Sequence, residues 1–465
     1  MIHRTDILML DVNSEQNIHM NFLKQQTQPS SDQCLFFKDK YSVSDICYTA
    51  IRKNLCNHLP SLYNLNEKKK EINKLIGSIE HNKKSCFVDI NDKITKILDN
   101  FLMKNFVGSQ ICLKFGLDGT NISRSNKFIN FVVSILNEGK KATTASGNYT
   151  LGILKIDKEN YDAIKTWLPE KFEKIRNINY QFENRKIDIY PIFAADYKML
   201  LLVLGMKSSN SKYPCIWCKI HKDRLHEIID QSENLLRDYQ EHEMILNQKV
   251  SGEDKKNFKD FGYQNKPLIK SIPHNDFIIC VLHLLLRISD LFFDLFIREI
   301  EALDKKPNNV SYNSKKHLNL KKLFDSLEAI GIKISTSNND SDLSDNKNSK
   351  TNKILSDLTG PKRKLVFEKF TPKIYSLFSE QLKDCKKIER LWFDFYFIYD
   401  YIKSPFAKGE GLKSLSSNLL KSFLELYHQK HVTPYFHFLV NHSPDILDQN
   451  ISLSDCSTEG LEKLI

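Results

Sequence analysis

The sequence predicts a mixed α/β fold: an α/β layer carrying a mixed sheet, with helical regions before and after it. Three observations lead there. Between residues 111 and 206 short β-rich runs alternate with helical periodicity, the pattern of strands connected by packed helices. Downstream of Pro273 apolar residues recur at helical spacing over long stretches. Two distant motifs, Cys215-Ile-Trp-Cys218 and His437-Phe-Leu-Val-Asn-His442, supply two thiolates and two imidazoles, the donor set of a tetrahedral zinc site that would pin both segments together.

Residues 1–110 read as a polar, mostly helical region with an unstructured first thirty or so. Its apolar stripes are Ile72, Leu75, Ile76 and Ile79, then Ile94, Ile97, Leu98, Phe101 and Leu102. Strands are expected at 111–117, 128–136, 149–156 and 187–194, with turn residues Asn137 to Lys140 and Ser146-Gly147-Asn148 between them. Helical stretches follow the third strand, at 161–176, and the fourth, at 197–205. Residues 277–301 are apolar on nearly every side, as in a helix buried among several neighbours. Further helices are expected at 366–378, 390–402 and 414–427. The segment 335–353 has one large apolar residue and is expected to be a disordered loop.

At 465 residues the chain is too long for one simple core, and its 41% apolar content can support two or three subdomains. Lys plus Arg total 68 against 57 for Asp plus Glu, a net charge of +11. Most of that charge is a solvated surface; a nucleic acid is the natural polyanionic partner for it. The ten cysteines lack the dense spacing of a secreted disulfide scaffold, so a reducing compartment is expected. The first residues do not have the pattern of a secretion signal. No apolar run reaches membrane-spanning length, because His283, Arg287, Asp290 and Asp294 interrupt 277–296. The basic cluster Pro361-Lys362-Arg363-Lys364 has the composition of a nuclear address.

Three acidic residues stand out. Asp118 follows the first core strand and precedes Gly119, Asp196 stands where the fourth strand gives way to a helix, and Glu459 lies in Ser457-Thr-Glu459-Gly. Carboxylates at the ends of neighbouring strands can share hard divalent cations, as two-metal phosphoryl transfer requires. Each residue also has an ordinary reading, as a turn, a helix cap and a solvated carboxylate. Cys215 and Cys218 likewise could be inert thiols or a redox dithiol, and His437 and His442 helix-surface residues. His283, in an otherwise apolar helix, is either a satisfied core histidine or a donor to a phosphate or carboxylate.

Taken together, Gly116-Leu-Asp118-Gly, Asp196-Tyr-Lys, Cys215-Ile-Trp-Cys218, Val281-Leu-His283, Tyr435-Phe-His437 with His442-Ser-Pro, and Ser457-Thr-Glu459-Gly resemble the catalytic subunit of the V(D)J recombinase and the related Transib-like DDE transposases. The resemblance extends over roughly residues 110 to 465. It implies an RNase H-like catalytic core at 111–206, a zinc-binding helical insertion at 207–450, and the start of a C-terminal catalytic helix at 451–465. By the same resemblance Asp118, Asp196 and Glu459 are Mg²⁺ (or Mn²⁺) ligands, Cys215, Cys218, His437 and His442 hold structural Zn²⁺, and His283 is an active-site neighbour beside Cys280. The implied activity is metal-dependent DNA strand cleavage followed by hairpin formation or strand transfer. Double-stranded DNA ends, a second copy of the chain and an accessory subunit are the implied partners, in the nucleus and away from membranes. The alternative is a transposon-derived DNA-binding or scaffold protein that keeps the zinc fold and no longer cuts.

Overall fold

The computed structural model describes residues 29–457 apart from 42, 57, 77–78, 104–105, 107, 122–126, 177, 179, 230–234, 252–258, 306–317, 334–357 and 450. The segment 335–353, the first 28 residues and Glu459 therefore lie outside the described residues. The chain divides into two units, at Glu80 and His81.

The first unit contains α1 (Ser31–Lys40), α2 (Asp45–Asn54) and α3 (Leu62–Ile76). Ser30 and Gln33 close a reciprocal capping box at α1, and the Ser44 hydroxyl accepts from Cys47 N–H at α2, so the first orphan amides of both helices are satisfied. A small core of Cys34, Leu35, Tyr48 and Leu65 joins them. The Tyr48 hydroxyl donates to Pro60 O at 3.0 Å.

The second unit is built on a mixed sheet. After β1 (Ile79–His81), which straddles the boundary, come β2 (Ser85–Val88), β3 (Gln110–Asn121), β4 (Lys127–Ile135), β5 (Tyr149–Ile156), β6 (Tyr180–Phe182), β7 (Arg185–Ala195) and β8 (Phe277–Ile279). The order across the sheet is β2-β5-β4-β3-β7-β6, with β8 beside the far end of β7. β5, β4 and β3 are antiparallel neighbours, whereas β7 runs parallel to β3 and β8 parallel to β7. One face is covered by α4 (Ile90–Leu102), α5 (Tyr161–Lys165) and α6 (Leu168–Arg176). Asp89 caps α4, whose stripe of Ile90, Ile94, Ile97, Leu98, Phe101 and Leu102 is buried, the spacing of one helical face turned to a core.

The remaining helices are α7 (Tyr197–Val203), α8 (Tyr239–Ser251), α9 (Val281–Lys305), α10 (Leu318–Glu328), α11 (Gly360–Leu365), α12 (Ile374–Phe378), α13 (Cys385–Ile402), α14 (Gly409–Leu426), α15 (Pro434–Asn441) and α16 (Ser443–Asp448). α9 is their hub. Phe292, Phe293 and Phe296 meet Trp392 of α13 at centroid distances of 6.3, 4.8 and 5.6 Å, and Phe292 also meets Phe423 of α14 and Phe436 of α15.

Several elements differ from the sequence expectation. The strand and helix at 85–102 join the sheet core of the second unit, because α4 has an apolar face that only the sheet can bury. Residues 277–279 form β8 and not the start of a helix; an uninterrupted apolar run fits a buried strand as well as a buried helix. β6 is new, and it reaches β7 through a two-residue turn, Glu183-Asn184, with φ of 47° and 62°, the left-handed geometry that matches strand twist. The expected helix at 366–378 is broken: a π-helical turn, Val366–Phe370, and a 3-10 turn around Pro372 precede α12, since proline cannot continue the amide ladder.

Arg363, from the basic cluster, is only 4% exposed. Its guanidinium donates to Leu358 O, Ser289 Oγ and Leu286 O and pairs with Asp290 at 2.6 Å, so it staples α11 to α9. Removing one partner of a buried pair leaves an uncompensated charge, at about 3–5 kcal/mol. Arg363→Met should destabilise by the low end of that range, about 3 kcal/mol, because Asp290 keeps Arg287 at 3.2 Å. A denaturant titration of the variant checks this.

Candidate metal centre and carboxylate row

The loop after α7 carries Cys215 and Cys218, and α15 with the residue that ends it carries His437 and His442. All four are buried, and one ligand atom from each lies within 4.8 Å of the other three. Cys215 Sγ stands 3.3 Å from His442 Nε2, Cys218 Sγ 3.4 Å from His437 Nε2, and the two Nε2 atoms are 3.3 Å apart. Zinc–sulfur and zinc–nitrogen bonds of about 2.3 and 2.0 Å at tetrahedral angles give edges of roughly 3.5 Å for N–S and 3.3 Å for N–N. The observed edges fit. The cluster could therefore hold a metal ion such as zinc.

The surroundings orient the ligands. His437 Nδ1–H donates to Leu225 O at 3.0 Å, which turns the Nε2 lone pair toward the sulfurs. Asn441 fastens the same loop, donating to Glu227 O and accepting from Ile229 N–H. Trp217, between the cysteines, stacks on Phe438 and His442 and donates its indole N–H to Phe277 O at 3.1 Å, bolting the Cys turn to β8. Arg237 donates to Cys215 O and Tyr213 O. Burial pushes the Cys215 thiol up, but hydrogen bonds from Cys218 and the two imidazoles, with the His442 charge, outweigh it and hold Cys215 low; burial and Cys215 push Cys218 up. Two thiols sharing one negative charge behave this way. A divalent ion lifts the competition, because each sulfur then binds as thiolate.

A second constellation involves β3 and the strands on its parallel side of the sheet. Asp118 is not at a strand end: β3 continues to Asn121, and Asp118 pairs with Asn130 of β4. The Asp-Gly turn reading fails because the ladder with β4 carries the chain straight through. Between β3 and β7 each pair from Gln110↔Asp188 to Phe115↔Phe193 has the sequence separation that Asp118 and Asp196 have. The pairs of β7 with β8 likewise have the separation of Asp196 and Cys280, and Cys280 N–H donates to Ala195 O at 3.1 Å. Asp118 and Asn130 are paired directly, whereas the β3–β7 ladder ends at Phe115↔Phe193 and the β7–β8 ladder at Ala195↔Ile279. Asp196 and Cys280 follow the last paired residues, and the same offsets carried forward would bring them level with Asp118, where laterally matched residues project from one face. Both aspartates are half-buried. Asp196 also caps α7, accepting from Met199 N–H at 2.6 Å, so its ordinary reading is fulfilled as well. His283 sits half-buried in the first turn of α9, three residues past Cys280.

Tyr435 connects the two constellations. Two residues before His437, it packs against Tyr197 at 5.3 Å, and burial together with the Asp196 charge pushes its hydroxyl up to about 12.

Sequence reasoning passed over three residues here. Asn130, 7% exposed, has a side-chain oxygen with no hydrogen-bond partner among the described residues. Lys114 is buried on β3. Glu159 fills the space beside Gly119 and pairs with Lys198 at 3.0 Å. The first two had a signal, a polar residue inside an apolar strand; Glu159 had none.

The flank of the Cys loop is also charged with pH sensitivity. His242, 1% exposed, stacks on Tyr263 at 3.8 Å and donates to Asn265 O. Burial, helped by the Arg237 charge, lowers its imidazole to about 4. A histidine lowered in the folded state contributes stability that is complete above its unfolded value of about 6.5 and is lost as pH falls toward 4. The linked loss is about 3 kcal/mol. Urea titrations at pH 7 and pH 4.5 should converge for His242→Gln relative to the wild type.

The chain matches no protein-family model and no curated protein at a significant level of sequence similarity.

Proposed function

We propose that this protein is a DNA-cleaving enzyme of the DDE transposase and recombinase kind, built on an RNase H-like core. The observation that carries the reading is the placement of Asp118 on β3 and of Asp196 directly after β7, adjacent parallel strands whose offset, carried forward from Phe115↔Phe193, would bring the two carboxylates level. Strand order β5-β4-β3-β7-β8, with three antiparallel strands followed by two parallel ones, supports the RNase H-like assignment. In this reading Asp118, Asp196 and Glu459 hold Mg²⁺ or Mn²⁺, and Cys215, Cys218, His437 and His442 hold an architectural zinc. The divalent ions, when bound, supply nucleophile activation and charge stabilisation at the scissile phosphate. Asp196 uses one oxygen to cap α7, which fixes its carboxylate at the strand tip. His283, at the start of α9, stands on the side of Cys280 as a donor toward phosphate. The net charge of +11 suits a double-stranded DNA partner, a dimer would bridge two DNA ends, and the nucleus is where such a substrate lies.

The test uses the purified full chain, zinc-replete, with Mg²⁺, Mn²⁺ or no divalent ion, and a supercoiled plasmid carrying the genomic DNA on either side of its gene. Metal-dependent nicking within that DNA is expected. Nicking that is absent with both ions, or equal without them, removes the nuclease reading.

A further inference from the structure

Lys114 is 2% exposed and lies on the face of β3 that carries Asp118, since residues 114, 116 and 118 alternate to one side. Its ammonium has three donors and all three are used on backbone oxygens: Asp455 O at 2.8 Å, Ser457 O at 2.9 Å and Ala142 O at 3.3 Å. Two of these belong to the C-terminal segment. A buried ammonium without a carboxylate in contact is costly, so a nonpolar residue would be the default at this strand position.

The segment it grips is compact. Asp455 N–H donates to Ser452 O, Cys456 N–H to Leu453 O and Ser457 N–H to Ser454 O, while Leu453 and Cys456 are fully buried. Cys456 lies between the two residues whose carbonyls Lys114 grips, which puts it over the same face of the sheet. The next residues on this face of β3 and β7 after the pair Lys114↔Ile192 are small, Gly116 and Ala194, and leave depth over the sheet.

We propose that Lys114 is a positioning residue that docks Asp455 and Ser457 over the face of β3 that carries Asp118, so that the sequence leading on to Glu459 starts from a fixed point on that face. This rests on the nuclease reading. Lys114 touches no reacting atom; it acts through the backbone of Asp455 and Ser457. Burial lowers its amine, and the thiols of Cys456 and Cys280 and the Asp455 carboxylate offset this by favouring the charged form.

Lys114→Met keeps the aliphatic stem and removes the three donors. Cys456→Arg attacks the same dock from the segment side, placing a second cation beside Lys114, and serves if Lys114→Met does not fold. Each is compared with wild type by amide hydrogen exchange, zinc content, DNA affinity and Mn²⁺-dependent nicking. The expected result is about tenfold or greater loss of protection confined to residues 452–457, one zinc retained, and kcat down by about 30-fold with KM within about twofold. Unchanged protection overturns the dock. Lost protection with unchanged kcat overturns the positioning role, as does a fall in KM and kcat together with lost zinc, which marks general unfolding. If the wild type does not nick DNA at all, the nuclease reading fails and the positioning role falls with it, and the exchange result separately decides whether Lys114 holds the segment.

Discussion

Cys215→Ser is expected to lose about one equivalent of zinc per chain and to lower the thermal midpoint by about 5–8 °C. Structural zinc contributes roughly 10–16 kcal/mol of apparent binding free energy in small zinc domains, and replacing one thiolate by a hydroxyl forfeits a large share of it. A loss of about 5 kcal/mol corresponds to the stated shift at about 1–1.5 °C per kcal/mol, since the unfolding entropy grows with the size of the unit. The geometry says where the damage goes. The ion would join the Cys turn, which Trp217 bolts to β8, to α15, whose Tyr435 packs beside Asp196. Loss of the ion therefore loosens a path that reaches the carboxylate row. His437→Ala should behave alike, and chelation of the wild type should reproduce both, with zinc release followed by a chromophoric chelator and unfolding by circular dichroism. Acid should release the ion too, because protons compete for all four donors. A chain that purifies free of zinc under reducing conditions and is indifferent to Cys215→Ser would leave the cluster a set of buried hydrogen-bonded side chains.

The centre was legible in sequence because its chemistry is carried by residue type. Two cysteines and two histidines at short spacings have few other reasons to be fully buried together, and the structure brings one ligand atom of each within 4.8 Å of the others. The sheet was legible for the strands with strong β patterning, β3, β4, β5 and β7, whereas β6 and β8, at three residues each, are too short for periodicity to register. The environment of Asp118 was misread for a physical reason: Asp-Gly-Thr-Asn has turn composition, yet cross-strand pairing out to Asn121↔Lys127 outweighs it. Lys114 escaped notice because its partners are backbone oxygens more than three hundred positions away, which no local pattern encodes. The pairing of Asp118 with Asp196 lay between. Each stood out as a strand-associated carboxylate, but their coming level is suggested only by carrying the offset of the parallel ladder forward from Phe115↔Phe193.

That register makes Asp118→Asn and Asp196→Asn the decisive substitutions. Each is expected to lower metal-dependent nicking by about 10³-fold, roughly 4 kcal/mol of transition-state stabilisation, because an amide offers a neutral oxygen where two carboxylates would share the charge of the ions. The design separates chemistry from architecture. Asparagine caps a helix about as well as aspartate, so Asp196→Asn keeps the bond from Met199 N–H that starts α7, and zinc content and thermal midpoint should stay within error of the wild type. At Asp118 the change is isosteric inside a paired strand, so the same controls apply. The Mn²⁺ concentration for half-maximal activity should rise in both, while DNA affinity in the absence of divalent ions stays within about twofold, since removing a negative charge does not weaken contacts to phosphate. The double variant should be no worse than about the poorer single one, the non-additivity of groups that hold one centre. Nicking that survives at wild-type rate in both variants belongs to a contaminant or to another site, and the carboxylate row would then be a capped helix and a strand residue with no catalytic part.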